Sequence, residues 1–107
     1  MGANYNGLMR IISKRTLREF WEIPKYSDSK GPLESWYQEA EGADWPDPHV
    51  IKAKYKNASI LKNNTVVFNI HGNTYRLVVR INYKHRMVYI RFIGTHKQYD
   101  DIDAENI

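Results

Sequence analysis

Residues 65–94 read TVVFNIHGNTYRLVVRINYKHRMVYIRFIG, and they decide the fold class of this chain. Along most of this stretch apolar and polar residues alternate with a period of two, which is typical of β-strands that bury one face. Gly72-Asn73 is a two-residue loop of hairpin type, and Lys84-His85 marks a second turn. The stretch therefore predicts an antiparallel meander with strands at residues 65–71, 74–83 and 86–94.

Loops of two residues fix which strand residues face each other, because pairing counts outward from the turn. One face of the meander is then apolar on all three strands, and we expect the helices to pack against it. The expected pairs in the first hairpin are Phe68–Leu77, Val66–Val79 and Ile70–Tyr75. Those in the second hairpin are Val79–Ile90, Leu77–Phe92 and Ile81–Val88.

The opposite face of the meander is basic. The same register places Asn69 beside Arg76, Arg80 beside Thr65 and Tyr89, Arg91 beside Val78, and His71 beside Thr74. An arginine that is half-buried in a central strand needs a counter-charge. Because no acid lies nearby in the sequence, we expect an RNA phosphate or a partner's carboxylate to supply it. The alternative is an open sheet from which the arginines reach water.

The rest of the chain favours helices, because its apolar residues follow a helical period. Ser13 is placed to cap a first helix that Pro24 ends, and Pro32 suits the first turn of a second helix. The expected helical segments are residues 14–22, a helix from Ser29 or Pro32 to about Gly42, and short turns at 49–55 and 97–102. The order of elements predicts an α+β fold, with two N-terminal helices packed on a three- to four-stranded antiparallel sheet.

The distribution of charge says more than the net charge of +4. Residues 51–97 contain ten lysines and arginines and no acid, whereas eight acids precede residue 50 and four follow residue 99. A solvated surface normally mixes the two signs, so this stretch favours an anionic partner, of which nucleic-acid phosphate is the commonest. The alternative is a basic face that only aids solubility.

A chain of 107 residues fits one domain with a modest core. We find no apolar run of membrane-spanning length, no secretion signal, and no phosphate-loop, metal-binding or serine-nucleophile motif. Cysteine is absent, which excludes disulfides and a cysteine nucleophile. The cytoplasm is the expected location. Residues 1–8 lack an apolar period and precede a second methionine, Met9, so we expect an upstream extension there and one domain over residues 9–107.

Of the four histidines, His96 is the candidate for chemistry. It lies in the segment GTHKQY, just past the last strand and at the edge of the basic face. A histidine can exchange protons near neutral pH, Lys97 can hold a phosphate, and Tyr99 can stack on a base or donate a proton. RNA brings its own nucleophile, the 2′-hydroxyl, so a base, an acid and cations suffice, with no metal or cofactor. The alternative role of His96 is to cap the turn that follows.

Four segments of the chain resemble HigB-type toxins, within the wider RelE/ParE-like group of messenger-RNA interferases. They are the lysine-bearing residues 47–56, VFNIHGN at 67–73, YRLVV at 75–79 and FIGTHKQYD at 92–100. The last is the most specific, since Thr-His-Lys followed by Tyr-Asp just after the final strand is a hallmark of that family. The resemblance extends from Met9 to the C-terminus.

The resemblance implies two N-terminal helices against an antiparallel sheet, and ribosome-associated cleavage of messenger RNA that arrests growth. It also implies neutralisation by a HigA-type antitoxin with a helix-turn-helix domain. Arg76 matches the arginine of the Arg-Leu-Val strand that contacts the scissile phosphate in RelE-like enzymes. The roles expected on this basis are His96 as general acid or base, Arg76 and Arg80 on the phosphorane, Lys52, Lys54, Arg91 and Lys97 on the RNA backbone, and Tyr99 as a stacking group or acid.

Two other classes of function stay open. ParE-like relatives share the fold but inhibit DNA gyrase and lack the catalytic set, and the presence of His96 with Arg76 argues against this class. A plain nucleic-acid-binding module would bind phosphate through the arginine face and cut no bond. Gyrase inhibition, or RNA binding without cleavage, would identify these alternatives.

Overall fold

The computed structural model describes residues 8–107, which form helices packed on a five-stranded sheet. The helices are α1 (Lys14–Trp21), a 3₁₀ helix (Pro24–Ser29), α2 (Lys30–Glu41), α3 (Pro48–Lys54) and α4 (His96–Asp100). The strands are β1 (Arg10–Ile12), β2 (Ser59–Leu61), β3 (Thr65–Ile70), β4 (Tyr75–Asn82) and β5 (Met87–Thr95). None of the helices within this range is long and apolar enough to cross a membrane. The extension expected at residues 1–8 lies outside the described residues, apart from Leu8.

The sheet has the strand order β1-β5-β4-β3-β2, and its centre is the predicted meander. The α+β class is therefore confirmed, whereas the prediction of a purely antiparallel sheet of three to four strands was wrong. β2 pairs antiparallel with β3, and β1 pairs parallel with β5. Each of these edge strands has only three residues, which is too short for an alternating pattern to stand out in the sequence.

The helical segments form where the sequence predicts them, with shifted boundaries. α1 follows Ser13 as expected, although the Ser13 side chain makes no capping hydrogen bond. Pro24 is also the first residue of the 3₁₀ helix, which leads directly into α2 and which the sequence did not predict.

The first hairpin has the predicted register in every strand pair. The Thr74 N–H donates to the His71 carbonyl at 3.2 Å and closes the turn around Gly72-Asn73. Gly72 has a φ of +63°, a left-handed conformation that glycine adopts without the steric cost of a Cβ atom. This turn sets the face on which each residue of β3 and β4 lies.

The second hairpin departs from the predicted register at a β-bulge in β5. Three predicted pairs are present, Ile81–Val88, Arg80–Tyr89 and Val79–Ile90. The next residue of β4, Val78, pairs with Phe92, so Arg91 is an extra residue without a partner on β4. Beyond the bulge Leu77 faces Ile93, and Phe92 lies on the face that was expected to be basic. The predicted pairs of Leu77 with Phe92 and of Val78 with Arg91 were wrong, because alternation alone does not reveal a bulge.

The main core lies between the sheet and the helices α1, α2 and α3. Phe68 is part of it and is only 1% exposed. Its ring centroid lies 5.3 Å from that of Trp36, 5.9 Å from that of Trp45 and 5.0 Å from that of Tyr55. These aromatic contacts join β3 to α2 and to the segment around α3.

A second, smaller core lies on the other face of the sheet. Val67, Val78 and Ala104 are buried there, and Phe92 and Tyr99 pack against them. We call residues 101–107, which follow α4, the C-terminal tail. Because Ala104 belongs to this core, the C-terminal tail covers part of the second face.

Replacing Phe68 with alanine tests the importance of the aromatic contacts. We expect Phe68→Ala to lower the free energy of unfolding by about 3–5 kcal/mol, because the cavity left among three rings cannot fully collapse. Val50→Ala is the control, since Val50 is 41% exposed on α3 and its truncation should cost less than about 0.5 kcal/mol. Urea unfolding measures both, and equal losses would contradict the placing of Phe68 in the core.

Candidate nucleic-acid interface

The end of the sheet nearest Gly72 brings together residues from three neighbouring strands. Asn69 of β3 pairs with Arg76 of β4, which pairs with Gly94 of β5. Because neighbouring strands lie about 4.8 Å apart, this row is about 10 Å wide. α4 begins at His96, immediately after β5 ends. We call this row and the first turn of α4 the hairpin corner.

Arg76 is the cation at the centre of the hairpin corner. Its side chain is half-buried, and Nη1 donates to the backbone carbonyls of Asn73 at 3.1 Å and Tyr75 at 3.5 Å. Within residues 8–107 no carboxylate forms an ion pair with Arg76. The two carbonyls are neutral, so the positive charge of the guanidinium can still attract an anion to the row.

His96 is held in place by its backbone and by the residue before it. Thr95 is the N-cap of α4: its hydroxyl accepts from the Gln98 N–H at 3.1 Å, and the Gln98 side-chain oxygen accepts from the Thr95 N–H at 2.8 Å. The His96 N–H donates to the Thr74 carbonyl of the β3–β4 loop at 3.3 Å. Because Thr95 caps the helix, the His96 imidazole takes no part in capping, and the side chain is 52% exposed.

Gly94 allows α4 to approach the sheet at the hairpin corner. A Cβ atom on Gly94 would lie 2.5 Å from Cζ of Phe92 and 2.7 Å from Oε1 of Gln98. Both distances are far below van der Waals contact. A larger residue at position 94 would therefore displace α4, and with it His96.

A shallow pocket of about 310 Å³ borders the hairpin corner on the β3 side. Asn69 of the row lines it, together with Lys54 and Lys56 from the end of α3 and the loop that follows. Nζ of Lys54 is 3.8 Å from Oε1 of Glu39, and the Lys54 side chain is 59% exposed, so this ion pair is loose. We call this site the lysine pocket.

Lys52 does not line the lysine pocket, because its side chain forms hydrogen bonds to the backbone after α3. Its Nζ donates to the backbone carbonyls of Lys56 at 2.7 Å and Ala58 at 2.6 Å, which ties the end of α3 to the start of β2. Lys56 and Asn69 line the lysine pocket but were not among the expected site residues. Lys56 belongs to the lysine run that the sequence displays, and the predicted register already placed Asn69 opposite Arg76.

Two of the expected arginines lie outside the hairpin corner. Arg80 is four residues along β4 from Arg76, a distance of about 13 Å at the rise of a strand. Its Nη2 donates to the Glu105 carbonyl at 3.1 Å. Nε of Arg91 donates to the Ile107 carbonyl at 3.2 Å. The C-terminal tail thus offers neutral carbonyl acceptors to both arginines, for which the sequence predicts a phosphate or a partner's carboxylate.

Lys97 and Tyr99 both lie on α4 but in different surroundings. Lys97 is exposed and, within residues 8–107, forms no ion pair. The Tyr99 ring is half-buried and packs against the second core. Lys97 therefore adds positive charge at the hairpin corner, whereas Tyr99 anchors α4 to the sheet.

On the helix side of the corner, Tyr75 is buried and its hydroxyl donates to Asp28. Burial, followed by the hydrogen bond to Asp28 and the charge of that carboxylate, raises the pKa of Tyr75 to about 12. Its hydroxyl therefore stays protonated at neutral pH. The His71 ring stacks on Tyr75, and its Nε2 lies 3.5 Å from Oδ2 of Asp28, so His71 faces the helices and not the row.

The groups gathered at the hairpin corner can bind an anion and move a proton. Arg76 and Lys97 supply positive charge, and His96 supplies an imidazole whose Nε2 is 3.7 Å from Oδ1 of Asp100. In the part of the chain that the structure describes, no group of three or more histidines and acids is placed to hold a metal ion. The chemistry that these residues favour is general acid–base catalysis on a phosphate ester.

Comparison with known proteins points the same way. The HigB toxin family, described as the RelE-like toxic component of a toxin–antitoxin system, matches residues 29–102. The mRNA interferase HigB of Escherichia coli O6:H1 is 27% identical over 96 residues, which are 88% of this chain and 91% of the relative. The mRNA interferase toxin HigB of Escherichia coli K12 is 29% identical over 98 residues, 90% of this chain and 92% of the relative. The mRNA interferase HigB of Shigella flexneri matches with the same identity and coverage.

The hydroxyl of Thr95 is expected to hold α4 at the hairpin corner. Thr95→Ala removes the cap and should lower the free energy of unfolding by about 0.5–2 kcal/mol, with faster amide exchange at the Gln98 N–H. Thr95→Ser keeps the hydroxyl and should retain most of the stability. Urea unfolding and hydrogen exchange measure both variants. Unchanged exchange in Thr95→Ala would show that the cap does not hold the helix.

Proposed function

The chain belongs to the HigB family, the RelE-like toxic component of a toxin–antitoxin system, and we propose on that premise that it is an endoribonuclease of the mRNA interferase type. The names of its relatives, mRNA interferase HigB and mRNA interferase toxin HigB, support messenger RNA as the substrate. The basic stretch of residues 51–97, with ten cations and no acid, supports an anionic polymer as the ligand. The hairpin corner is the proposed site of cleavage.

The observation that carries this proposal is that Arg76 and His96 both form hydrogen bonds to the β3–β4 loop. The Arg76 side chain donates to the carbonyl of Asn73, and the His96 N–H donates to the carbonyl of Thr74. Arg76 also pairs with Gly94 in the sheet. These contacts tie the Arg76 side chain and the His96 backbone to neighbouring carbonyls of one loop, so a phosphate held by Arg76 would lie near the start of α4, where the His96 imidazole emerges.

The proposed reaction uses the 2′-hydroxyl of RNA as nucleophile. A base removes the proton of this hydroxyl, the 2′-oxygen forms a bond to phosphorus, and the bond from phosphorus to the 5′-oxygen breaks as an acid protonates the leaving oxygen. His96 serves as general acid or base. Arg76 stabilises the negative charge of the pentacoordinate phosphorane. This acid–base reaction, with Arg76 as the cation, requires no metal ion.

The proposed roles of the remaining site residues follow from their positions relative to the hairpin corner and from their contacts. Lys97 and Lys54 would hold the RNA backbone on either side of the scissile phosphate, and Lys56 joins them from the lysine pocket. Lys52 would act indirectly, through the loop that it closes. Tyr99 would position α4 through its packing and not act as the acid. Arg80 and Arg91 would not reach a phosphate that Arg76 holds.

The proposal includes the setting in which the protein acts. A toxic component of a toxin–antitoxin system has an antitoxin, and we propose a HigA-type protein with a helix-turn-helix domain in that role. The substrate would be messenger RNA during its translation on the ribosome in the cytoplasm, and its cleavage would arrest growth.

Substitution of the two central residues tests the ribonuclease assignment. His96→Ala should slow cleavage by about 10²–10⁴-fold, because the proton transfer is lost. Arg76→Ala should slow it by about 10²–10³-fold, because the phosphorane loses its cation. His85→Ala is the matched control, since His85 is exposed in the turn at the other end of the sheet. Primer extension on messenger RNA after brief induction reports the cuts, and growth reports toxicity.

Each rival class of function has its own signature in these measurements. Growth arrest with intact messenger RNA and with inhibited DNA gyrase would replace the proposal with a ParE-like activity. RNA binding without cleavage, on ribosomes as well as on free RNA, would replace it with a plain binding module. Full toxicity of His96→Ala would remove His96 from the mechanism.

The lysine pocket should contribute backbone contacts without base specificity. The double variant Lys54→Ala/Lys56→Ala should lower the slope of log affinity against log salt by about 1.4, because each lost contact to single-stranded RNA changes it by about 0.7. Lys14→Ala/Arg18→Ala on α1 removes the same net charge from the helix side and should leave the slope unchanged. Fluorescence anisotropy with RNA that carries 2′-O-methyl sugars measures binding without cleavage. Equal slopes in the two variants would exclude the lysine pocket from the RNA path.

A further inference from the structure

A second pocket, of about 470 Å³, opens at the end of the sheet opposite the hairpin corner. It lies beside the β4–β5 turn, and its polar lining includes Asn64, Arg80, Asn82, Lys84 and Tyr89. We propose that this arginine pocket binds a nucleotide of single-stranded RNA, with Tyr89 stacked on the base and with Arg80 and Lys84 on the phosphate. The inference rests on the proposed function only in taking RNA as the ligand.

Arg80 is the reason to expect an anionic ligand in the arginine pocket. Its Nη2 donates to the Glu105 carbonyl, but its buried Nε has no hydrogen-bond partner among residues 8–107. No carboxylate in this range forms an ion pair with the guanidinium. A buried donor without an acceptor is costly, and a neutral carbonyl leaves the charge uncompensated. Because Nε itself is covered, a phosphate in the pocket would meet the accessible part of the guanidinium and supply the negative charge that the neutral carbonyl lacks.

Tyr89 provides a flat aromatic surface beside this guanidinium. Arg80 and Tyr89 are paired directly across β4 and β5, so their side chains emerge about 5 Å apart on the same face. Tyr89 is 37% exposed, and no other aromatic ring in the described part of the chain stacks on it. Aromatic rings beside arginines are the surfaces on which unpaired RNA bases stack.

The other polar groups of the pocket suit a base more than an acidic peptide. Oδ1 of Asn82 accepts from the His85 N–H at 3.1 Å, which orients the amide at the pocket. Asn64 contributes a second amide, and the exposed Lys84 adds a cation in the β4–β5 turn. Amides form hydrogen bonds with the edges of unpaired bases. An acidic peptide would need only the cations, so the ring and the two amides favour a nucleotide.

The arginine pocket is separate from the hairpin corner. Val78 lies between Arg76 and Arg80 along β4, and Ala104 of the C-terminal tail packs on it. An RNA strand that occupied both sites would have to pass over the tail. Two RNA strands could instead occupy the sites independently, and the stoichiometry of binding distinguishes these cases.

The test uses a single-stranded RNA of mixed sequence with 2′-O-methyl sugars, measured by fluorescence anisotropy on the full chain. Tyr89→Ala should weaken binding by about 5- to 150-fold, the range for loss of one stacked base, whereas Tyr89→Phe keeps the ring and should stay within about twofold. Arg80→Ala should lower the salt slope by about 0.7. Arg18→Ala, which removes a charge from α1, should leave binding and slope unchanged. Urea unfolding checks that each variant is folded.

The outcomes separate this inference from the proposed function. Weaker binding in Tyr89→Ala supports the pocket; one bound RNA per protein would then indicate a strand that crosses the tail, and two would indicate independent strands. Wild-type affinity in Tyr89→Ala and Arg80→Ala would overturn it, even if the protein cuts messenger RNA. Loss of antitoxin binding alone in Tyr89→Ala would also overturn it. Tyr89-dependent RNA binding by a protein that cuts nothing would keep the pocket and remove the ribonuclease assignment.

Discussion

The pairing of β4 with its two neighbours is the constraint on which both basic sites depend. Alternation along β4 sends Leu77, Val79 and Ile81 towards the helices and places Arg76 and Arg80 on the other face. A slip of one residue would bury two arginines and expose three core side chains. The cost of that exchange is far larger than the contribution of any single surface contact. The face on which the arginines lie is therefore set by the burial of their neighbours, whereas their own hydrogen bonds only orient the guanidinium groups.

The bulge at Arg91 determines what covers the second face. It turns Phe92 towards this face, where Phe92 packs against Val78 and Ala104 in the second core. The C-terminal tail can then lie across the sheet, with its carbonyls within reach of Arg80 and Arg91. The charge pattern of residues 51–97 suggests one continuous basic surface, but the tail divides that surface into two sites with different linings. The hairpin corner offers a histidine, whereas the arginine pocket offers an exposed tyrosine.

The sequence predicted the features that depend on neighbouring residues, and it missed those that depend on contacts between distant parts of the chain. The first hairpin followed from Gly72-Asn73 and from alternation, because turn geometry and burial act over a few residues. The segment from Thr95 to Gln98 also has the sequence pattern of a capping box, which places the cap of α4 at Thr95 and not at His96. The pairing of β1 with β5 joins distant parts of the chain, and the bulge leaves no mark in the alternation. The sequence also did not show that Lys52 would bond to the carbonyls of Lys56 and Ala58, because that contact depends on the fold of the loop after α3.

The openness of the hairpin corner gives a physical basis for ribosome dependence in the proposed function. The sheet and the capped α4 fix the backbone at Arg76 and His96, but the His96 side chain is 52% exposed, so the proposed site would not enclose an RNA strand. Surface cations bind phosphates without fixing the conformation of the strand between them. In-line attack by the 2′-hydroxyl requires that conformation to be fixed, and orientation contributes a large part of the rate. A ribosome that presents messenger RNA in a defined shape would supply the constraint that this small domain lacks.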